Sequence, residues 1–244
     1  MKKMKIKLLG KNLGDIRPLL NELGFEECER DFELIVTHGG DGALLGAERE
    51  YPGVPKLPLR DAATAPTCGV HSARARLERF LNDRGEPAHL PKLMGECSNG
   101  VLYGVNDVFL HRKLPTSALR YYVNIDGVPY GGEIVGDGVG LSSVHGSTAY
   151  YRSITHSIFR VGIGLAFSNS TETVDHMVLA DTSTVEIEVV RGPGLLVADN
   201  SAGIEVGEGE VVTMHRSGEF ALVYDLAGFM CPECRALRHH KGRR

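Results

Sequence analysis

The sequence contains no tryptophan, and aromatic residues make up only 7% of its 244 residues. It also lacks any run of 18 consecutive apolar residues, so no helix is predicted to span a membrane. No long basic block is present. The 27 Lys and Arg residues are outnumbered by 31 Asp and Glu residues, which gives a formal net charge of −4. This balance argues against binding to nucleic acid or to a membrane surface. The residues that follow Met1 are too polar for a signal peptide.

Cysteine is scarce, and its spacing suggests no disulfide framework. The five cysteines are an odd number, and Cys28, Cys68 and Cys97 stand singly. A reducing cytoplasm is therefore the simplest predicted location. The other two lie in Cys231-Pro232-Glu233-Cys234, ahead of His239-His240, and such a group could bind zinc or form a redox pair. A structural zinc site needs four ligands, so the prediction here is a tail without a metal.

Glycine, in contrast, is abundant, with 30 of 244 residues, or about 12%, where roughly 7% is usual. The charged fraction of 24% and the apolar fraction of 42% are those of a folded globular chain and not of a disordered one. Excess glycine without a repeat indicates many tight turns, or loops in which the backbone approaches a ligand.

The first ninety residues alternate short apolar runs with helical stretches. Strands are predicted at 6–9, 34–37 and 54–59, and helices at 15–23, 43–50 and 72–83. This alternation is typical of a parallel sheet with crossover helices.

From about residue 90, strands and turn signals dominate. Asp126-Gly127 lies between two apolar runs and predicts a β-hairpin, and Ser98-Asn99-Gly100 separates two more. Residues 184–190 alternate apolar and charged side chains, as in a half-buried strand. The sequence therefore predicts an α/β domain at 1–90, a β-rich domain at 91–225 and a C-terminal tail at 226–244.

The loop Gly39-Gly40-Asp41-Gly42 follows an apolar strand and precedes a predicted helix. Glycines let backbone N–H groups approach an anion, and the start of a helix adds positive potential, so a phosphate fits there. The carboxylate of Asp41 would repel a phosphate unless it handles a proton or a metal ion. A tight turn with an aspartate cap explains the same four residues, and both interpretations stay open at this point.

A second glycine-rich stretch, at 135–141, leads to Gly146-Ser147-Thr148-Ala149-Tyr150. Small side chains and backbone N–H groups suit the ribose or base of a nucleotide, and Tyr150 adds a ring for stacking. Glycine, serine and threonine also cluster in ordinary loops, so this stretch alone is weak evidence.

Taken together and in order, these motifs resemble the NAD kinase family. Gly39–Gly42 comes first, followed by Asn106-Asp107, Asp137-Gly138, Gly146–Tyr150 and Asp199. The resemblance spans about residues 34–225. The Gly-Gly-Asp-Gly loop is shared with diacylglycerol, sphingosine and phosphofructo kinases, whereas the Gly-Ser-Thr-Ala-Tyr element is more specific.

The resemblance implies an α/β plus β fold, with an N-terminal Rossmann-like α/β domain and a C-terminal β-sandwich-like domain. It implies phosphoryl transfer from ATP, or from polyphosphate, to the 2′-hydroxyl of NAD, with Mg²⁺, to give NADP. Asp41 would be the catalytic residue that activates this hydroxyl. It also implies a homodimer or homotetramer.

Nucleotide-binding roles follow from the same resemblance. Asn106 would hydrogen-bond the adenine, and Asp137 would contact the nicotinamide end. The implied binding residues are Gly39, Gly40, Gly42, Asn106, Asp107, Asp137, His145, Ser147, Thr148, Ala149, Tyr150 and Asp199.

The sequence departs from the family pattern at several positions. Ala43 replaces the usual threonine, Asp107 replaces a glutamate, and Ser143-Val144-His145 replaces Thr-Pro-Thr. Residues 57–68 contain no counterpart of the family's Gly-Ile-Asn…Gly-Phe-Leu stretch. Two alternatives therefore stay open: a kinase of the same superfamily with a lipid or small polyol acceptor, and a nucleotide-binding regulator that has lost turnover.

Overall fold

The computed structural model describes residues 3–229 and 231–241. The chain divides into two compact units, the first formed by residues 1–90 together with 221–244 and the second by residues 91–220. Within the described ranges, no helix has both the length and the apolar character needed to cross a membrane.

The first unit is built on a parallel sheet with the strand order β2-β1-β3-β4. Its strands are β1 (Met4–Gly10), β2 (Phe25–Glu27), β3 (Leu34–Gly39) and β4 (Lys56–Arg60), and its first helices are α1 (Leu13–Glu22), α2 (Asp41–Glu50) and α3 (Ala73–Asn82). All six residues of β3 are buried, as expected for a central strand that is covered on both faces. The predicted alternation of strands and helices is confirmed.

Apolar side chains at helical spacing explain why the helices pack on this sheet. Ile16 and Leu20 lie one turn apart on α1, and Leu77 and Phe80 lie on one face of α3. They join a single buried cluster with Ile6, Leu8, Leu34, Val36, Leu57 and Leu59 of the strands. Burial of this cluster holds the carboxyl ends of the strands in place.

The second unit contains two antiparallel sheets. Their strands are β5 (Ala88–Cys97), β6 (Gly100–Gly104), β7 (Asp107–Arg112), β8 (Leu119–Ile125), β9 (Val128–Gly136), β10 (Gly138–Ser142), β11 (Ile163–Ser168), β12 (His176–Leu179), β13 (Thr184–Arg191), β14 (Gly194–Ala198), β15 (Ile204–Val206) and β16 (Val211–Val223). One sheet has the order β6-β5-β16-β13-β8-β9 and the other β12-β11-β10-β7-β14-β15. A short helix, α4 (Tyr150–Thr155), precedes β11.

Alternating side chains from both sheets form the core of this unit. Val185, Ile187 and Val189 are fully buried on one face of β13, as the alternation predicts. They belong to the same cluster as Val108 and Leu141 of the other sheet, which is the arrangement of a β-sandwich. The predicted α/β plus β fold class is therefore confirmed.

Both predicted hairpins are present. Asp126 and Gly127 have φ values of 53° and 77°, the left-handed pair required by a tight two-residue turn between β8 and β9. Strands β5 and β6 pair from Cys97 and Gly100 onward, around Ser98-Asn99.

The residues that were predicted to form a tail contain two helices, α5 (Leu226–Phe229) and α6 (Pro232–Lys241). They follow β16, whose last residue, Val223, pairs in parallel with Lys56 of β4. The buried guanidinium of Arg76 donates from Nε to Oδ2 of Asp225 at 2.6 Å and from Nη2 to its carbonyl oxygen at 2.9 Å. The chain that follows β16 is thus fastened to α3.

Candidate functional site

The glycine-rich loop lies at the carboxyl edge of the parallel sheet. Strands β1, β3 and β4 run in the same direction, with Gly10 opposite His38 and Gly39 opposite Arg60. The loops that follow these three strands therefore meet at one edge. In open α/β sheets, ligands bind at this edge.

A close contact between two backbone segments explains why position 10, at this edge of the sheet, is a glycine. Gly10 has a φ of +124°, and a Cβ there would lie 2.0 Å from the carbonyl oxygen of His38. The N–H of Lys11 donates to that oxygen at 2.9 Å, and Nδ1 of His38 donates to the carbonyl oxygen of Lys11 at 2.7 Å. The two loops are thereby held together just before the Gly-Gly-Asp-Gly sequence.

The Gly-Gly-Asp-Gly loop is the start of α2. Gly40 occupies the cap position of this ten-residue helix with an extended backbone and, as a glycine, supplies no side chain to cap it. Asp41 is half-buried in the first turn and does not serve as the cap residue. The start of a helix directs backbone N–H groups and positive potential outward, and both suit an anion. Asp41 does not occupy the cap position, and phosphate binding at this loop stays a prediction.

Asp61 belongs to the same edge, although the sequence analysis did not single it out. Its buried carboxylate accepts hydrogen bonds from Nδ2 of Asn12 at 2.8 Å, from the N–H of Ala63 at 2.9 Å and from Oγ1 of Thr64 at 3.2 Å. Burial raises the pKa of Asp61, but these hydrogen bonds outweigh burial, so its pKa lies below the usual value. An aspartate directly after a predicted strand was the available signal.

In the second unit, the carboxylate of Asp199 organises the turn that carries Asn106 and Asp107. Its Oδ2 accepts from the N–H of Val105 at 2.7 Å, and its Oδ1 accepts from the N–H groups of Asn106 at 2.8 Å and Asp107 at 3.2 Å. The N–H of Asp199 donates back to the carbonyl oxygen of Asp107 at 3.0 Å. Asp199 thus acts here as a positioning residue for the turn.

The structure brings the Asn106-Asp107 turn and the Gly-Ser-Thr-Ala-Tyr element together. A Cβ on Gly146 would lie 2.0 Å from the carbonyl oxygen of Asn106, so only glycine fits this contact. The N–H of Ser143 donates to the same oxygen at 2.8 Å, and its hydroxyl donates to the carbonyl oxygen of Val105 at 2.6 Å. Two motifs forty positions apart therefore share one backbone contact.

The side chains of the element have different environments. Ser147 is buried and its hydroxyl donates to the carbonyl oxygen of Val144 at 2.8 Å, so it stabilises the turn. Tyr150 is exposed, and its ring packs against Phe109 and His111 at centroid distances of 5.0 and 5.4 Å. Burial lowers the pKa of His111, even though the charge of Asp137 opposes this shift. Tyr150 therefore rests on the rings of Phe109 and His111.

A pocket of about 470 Å³ opens beside Tyr150 within the second unit. Its lining is Tyr150, Ser153, Ile154, His156, Phe167, Ser168, Asn169, Ser170, Glu172 and Asp175. The volume is within the range of small-molecule sites, and the lining is mostly polar.

Asp137 lies at the other end of β10 from the Asn106-Asp107 turn. In the register of β10, Gly138 is opposite His111 and Ser142 is opposite Asp107, so about 17 Å of strand separates the two places. Asp137 pairs with Nε of Arg112 at 2.9 Å and accepts from Nδ2 of Asn169 at 2.9 Å. Because Asn169 borders the pocket, Asp137 is one hydrogen bond away from the pocket lining.

We predict that Asp199→Asn destabilises the protein by about 2–3 kcal/mol, because one backbone N–H then faces an amide N–H₂ and not an oxygen. Urea unfolding measures this free energy. The matched control is Asp181→Asn, which removes an exposed ion pair with Arg216 in the same unit and is expected to cost less than about 1 kcal/mol. Equal losses in the two variants would contradict the positioning role of Asp199.

Solved structures define the class of protein to which this fold belongs. A yeast NADH kinase, solved with NADH, superposes with a TM-score of 0.75 at 16% identity, covering 96% of this chain and 88% of that one. An NAD kinase from Archaeoglobus fulgidus, solved with ATP, also gives 0.75, at 18% identity, covering 96% and 99%. The two-unit fold is thus that of the NAD kinases.

Sequence comparison agrees with this fold. An NAD kinase from Clostridium beijerinckii is 26% identical over 170 residues, covering 62% of this chain and 55% of that protein. An NAD kinase from Saccharolobus solfataricus is 26% identical over 167 residues, covering 64% of each protein. The chain thus spans less than two thirds of either relative, and no protein-family model matches it. The resemblance to the NAD kinase family is confirmed, and at 26% identity the sequence is divergent from these kinases.

Proposed function

We propose that this protein transfers the γ-phosphoryl group of ATP to the 2′-hydroxyl of NAD and forms NADP. The observation that carries this proposal is the start of α2, where a glycine-capped helix opens on the half-buried Asp41 at the carboxyl edge of a parallel sheet. The relatives that share its fold or sequence bear the names NAD kinase and NADH kinase, and the solved ones contain ATP or NADH.

The phosphate groups would bind at the start of α2. Gly39 and Gly40 allow the backbone to approach phosphate oxygens, and the end of the helix contributes roughly half a positive charge. A chain with a net charge of −4 can therefore bind a polyphosphate through oriented N–H groups without a basic patch.

Asp41 would accept the proton of the attacking ribose hydroxyl. A hydroxyl is a weak nucleophile, and a positioned carboxylate that removes its proton contributes about 10²–10⁴-fold to the rate. Alignment of donor and acceptor and neutralisation of the phosphate charge would supply the larger part.

Mg²⁺ fits this site as an ion that arrives with ATP. Magnesium keeps several waters and takes one or two carboxylates together with phosphate oxygens. The Asp61 oxygens already accept hydrogen bonds from Asn12, Ala63 and Thr64, so the phosphate oxygens of ATP and water would supply most of the ligands of the ion. When bound, the ion would neutralise charge on the transferred phosphoryl group.

The second unit would recognise the acceptor nucleotide. Asn106 and Asp107 supply an amide and a carboxylate on a turn fixed by Asp199, and such groups hydrogen-bond adenine and ribose. The exposed ring of Tyr150 offers a stacking surface for a base. Thr148, Ala149 and His145 border the same turn and remain proposed binding residues, as does Asp137 near the pocket.

A cytoplasmic location and a homo-oligomeric state complete the proposal. The cytoplasmic location rests on the odd number and single placement of the cysteines in the sequence. The homodimer or homotetramer rests on the family resemblance, and light scattering on the purified protein measures it directly.

The decisive assay mixes the purified chain with NAD, ATP and Mg²⁺ and detects NADP with an NADP-specific dehydrogenase. We expect NADP to form and each omission to abolish it. Parallel reactions replace NAD by NADH, a diacylglycerol or a small polyol, and ATP by polyphosphate. Phosphorylation of the lipid or polyol alone would favour the alternative acceptor, and NAD binding without any product would favour a regulator that lacks turnover.

A further inference from the structure

Three cysteines and one histidine from two distant segments meet in the first unit. Cys68 and His71 flank a short turn before α3, and Cys231 and Cys234 lie at the start of α6. Their four ligand atoms, three Sγ and one imidazole nitrogen, all lie within 4.8 Å of one another. Residues that are at least 160 positions apart in sequence thus share one small volume.

The separations suit a tetrahedral metal ion. Zn–S bonds of about 2.3 Å and Zn–N bonds of about 2.0–2.1 Å place neighbouring tetrahedral ligands about 3.5–3.8 Å apart. Sγ of Cys68 lies 3.5 Å from Sγ of Cys234 and 3.0 Å from Nδ1 of His71, and Sγ of Cys234 lies 3.9 Å from the same nitrogen. The measured values bracket the tetrahedral spacing, and small side-chain adjustments suffice to admit an ion.

The local sequence and backbone also match a metal knuckle. Cys68-x₂-His71 and Cys231-x₂-Cys234 each have the two-residue spacing at which adjacent ligands of a zinc site occur. The N–H of Cys68 donates to Sγ of Cys234 at 3.3 Å. Such N–H···S bonds orient metal-ligating sulfurs.

The partners differ from those that the sequence suggested. Along the sequence, His239 and His240 are the histidines nearest to Cys231 and Cys234. Their side chains lie outside the part of the chain that the structure describes. Cys68 and Cys234 are buried, and their sulfurs, 3.5 Å apart, are well beyond the bond length of about 2.05 Å of a disulfide.

We propose that Cys68, His71, Cys231 and Cys234 form a structural Zn²⁺ site that fastens α6 to the segment preceding α3. Four protein ligands fill the tetrahedron, so the site is closed and does not leave a position for a substrate. A set of three sulfurs and one imidazole selects zinc over magnesium or calcium. The segment 61–68 would then be held at both ends. The N–H of Asp61 donates to the carbonyl oxygen of Gly39 at 3.4 Å, and Cys68 would bind the metal. This proposal is independent of the kinase activity.

Metal analysis of the purified full-length chain tests the site. We expect close to one zinc ion per chain by mass spectrometry of metals, and close to none in Cys68→Ser and in Cys231→Ser. Cys28→Ser and Cys97→Ser are the matched controls, because both cysteines lie outside the cluster, and they should keep the wild-type zinc content. Replacement of zinc by Co²⁺ in the wild-type chain should give the visible absorption of a tetrahedral thiolate complex.

Removal of the metal should lower thermal stability. Extraction of zinc from the wild-type chain by a strong chelator is expected to lower Tm by roughly 5–10 °C, because metal-binding free energy contributes to folding free energy, and added zinc should restore it. A wild-type chain that neither contains zinc nor takes up Zn²⁺ or Co²⁺ after reduction would overturn the proposal, and this holds even if the cysteine variants do not fold. A Cys68–Cys234 disulfide in that metal-free chain would instead identify a redox pair.

Discussion

Asp41→Asn is expected to lower kcat for NADP formation by about 10²–10⁴-fold, because asparagine keeps the shape of the side chain but cannot accept a proton. The Kd for NAD should change by less than about threefold, since the variant removes an interaction made mainly in the transition state. Steady-state kinetics and calorimetric binding on the same preparation separate these two quantities.

Asp15→Asn is the matched control for this experiment. Asp15 lies in the first turn of α1, which like α2 is a ten-residue helix of the first unit, so both variants lose the same favourable interaction with a helix start. We expect Asp15→Asn to retain wild-type kcat, with a stability loss of at most about 1 kcal/mol. Unchanged turnover in Asp41→Asn would refute the assignment of Asp41 as the base.

Gly146→Ala is expected to destabilise the protein by about 3 kcal/mol or more, the upper end of the usual cost of overpacking. The new Cβ would lie 2.0 Å from the oxygen, 2.5 Å from the carbonyl carbon and 2.6 Å from Cα of Asn106, all backbone atoms that cannot rotate away. For a chain of this size, such a loss lowers Tm by roughly 6–12 °C.

The displaced backbone carries Asn106, so NAD binding should weaken in the same variant under conditions where it remains folded. Gly132→Ala, in β9 of the same unit, is the control, because its Cβ would meet no atom within 4 Å and its φ is not in the left-handed region. We expect its Tm to stay within about 2 °C of wild type, as for surface substitutions. A Gly146→Ala protein with the stability of the control would show that the contact is not rigid.

Local chemistry explains the parts of this fold that could be predicted. Asp126-Gly127 predicted a hairpin because both residues tolerate positive φ, and the turn is decided within four residues. The run at 34–37 and the glycines after it likewise predicted a strand, a turn and a helix start in that order. Each of these features depends on neighbours along the chain.

Features that depend on which strands pair, and in which register, could not be predicted from local sequence. The motif series predicts Asp199 as a ligand-binding residue. In the structure its carboxylate accepts hydrogen bonds from N–H groups of a turn more than ninety positions earlier, which requires β14 to pair with β7. Asp137 belonged to the same motif series but lies at the other end of β10 from Asn106. The pairing of strands decided both outcomes, and no turn sequence predicts the pairing of strands that are distant in the chain, such as β7 and β14.

The sequence by itself determined the alternation of strands and helices in the first ninety residues, the two tight hairpins and the position of the Gly-Gly-Asp-Gly loop. These features follow from short-range preferences of glycine, aspartate and alternating apolar residues. Only the tertiary structure decided that the chain returns to the first unit after β16 and brings Cys231 and Cys234 to Cys68 and His71. The reason is physical: contacts between distant segments depend on how whole strands and helices pack, and that packing is a property of the complete core.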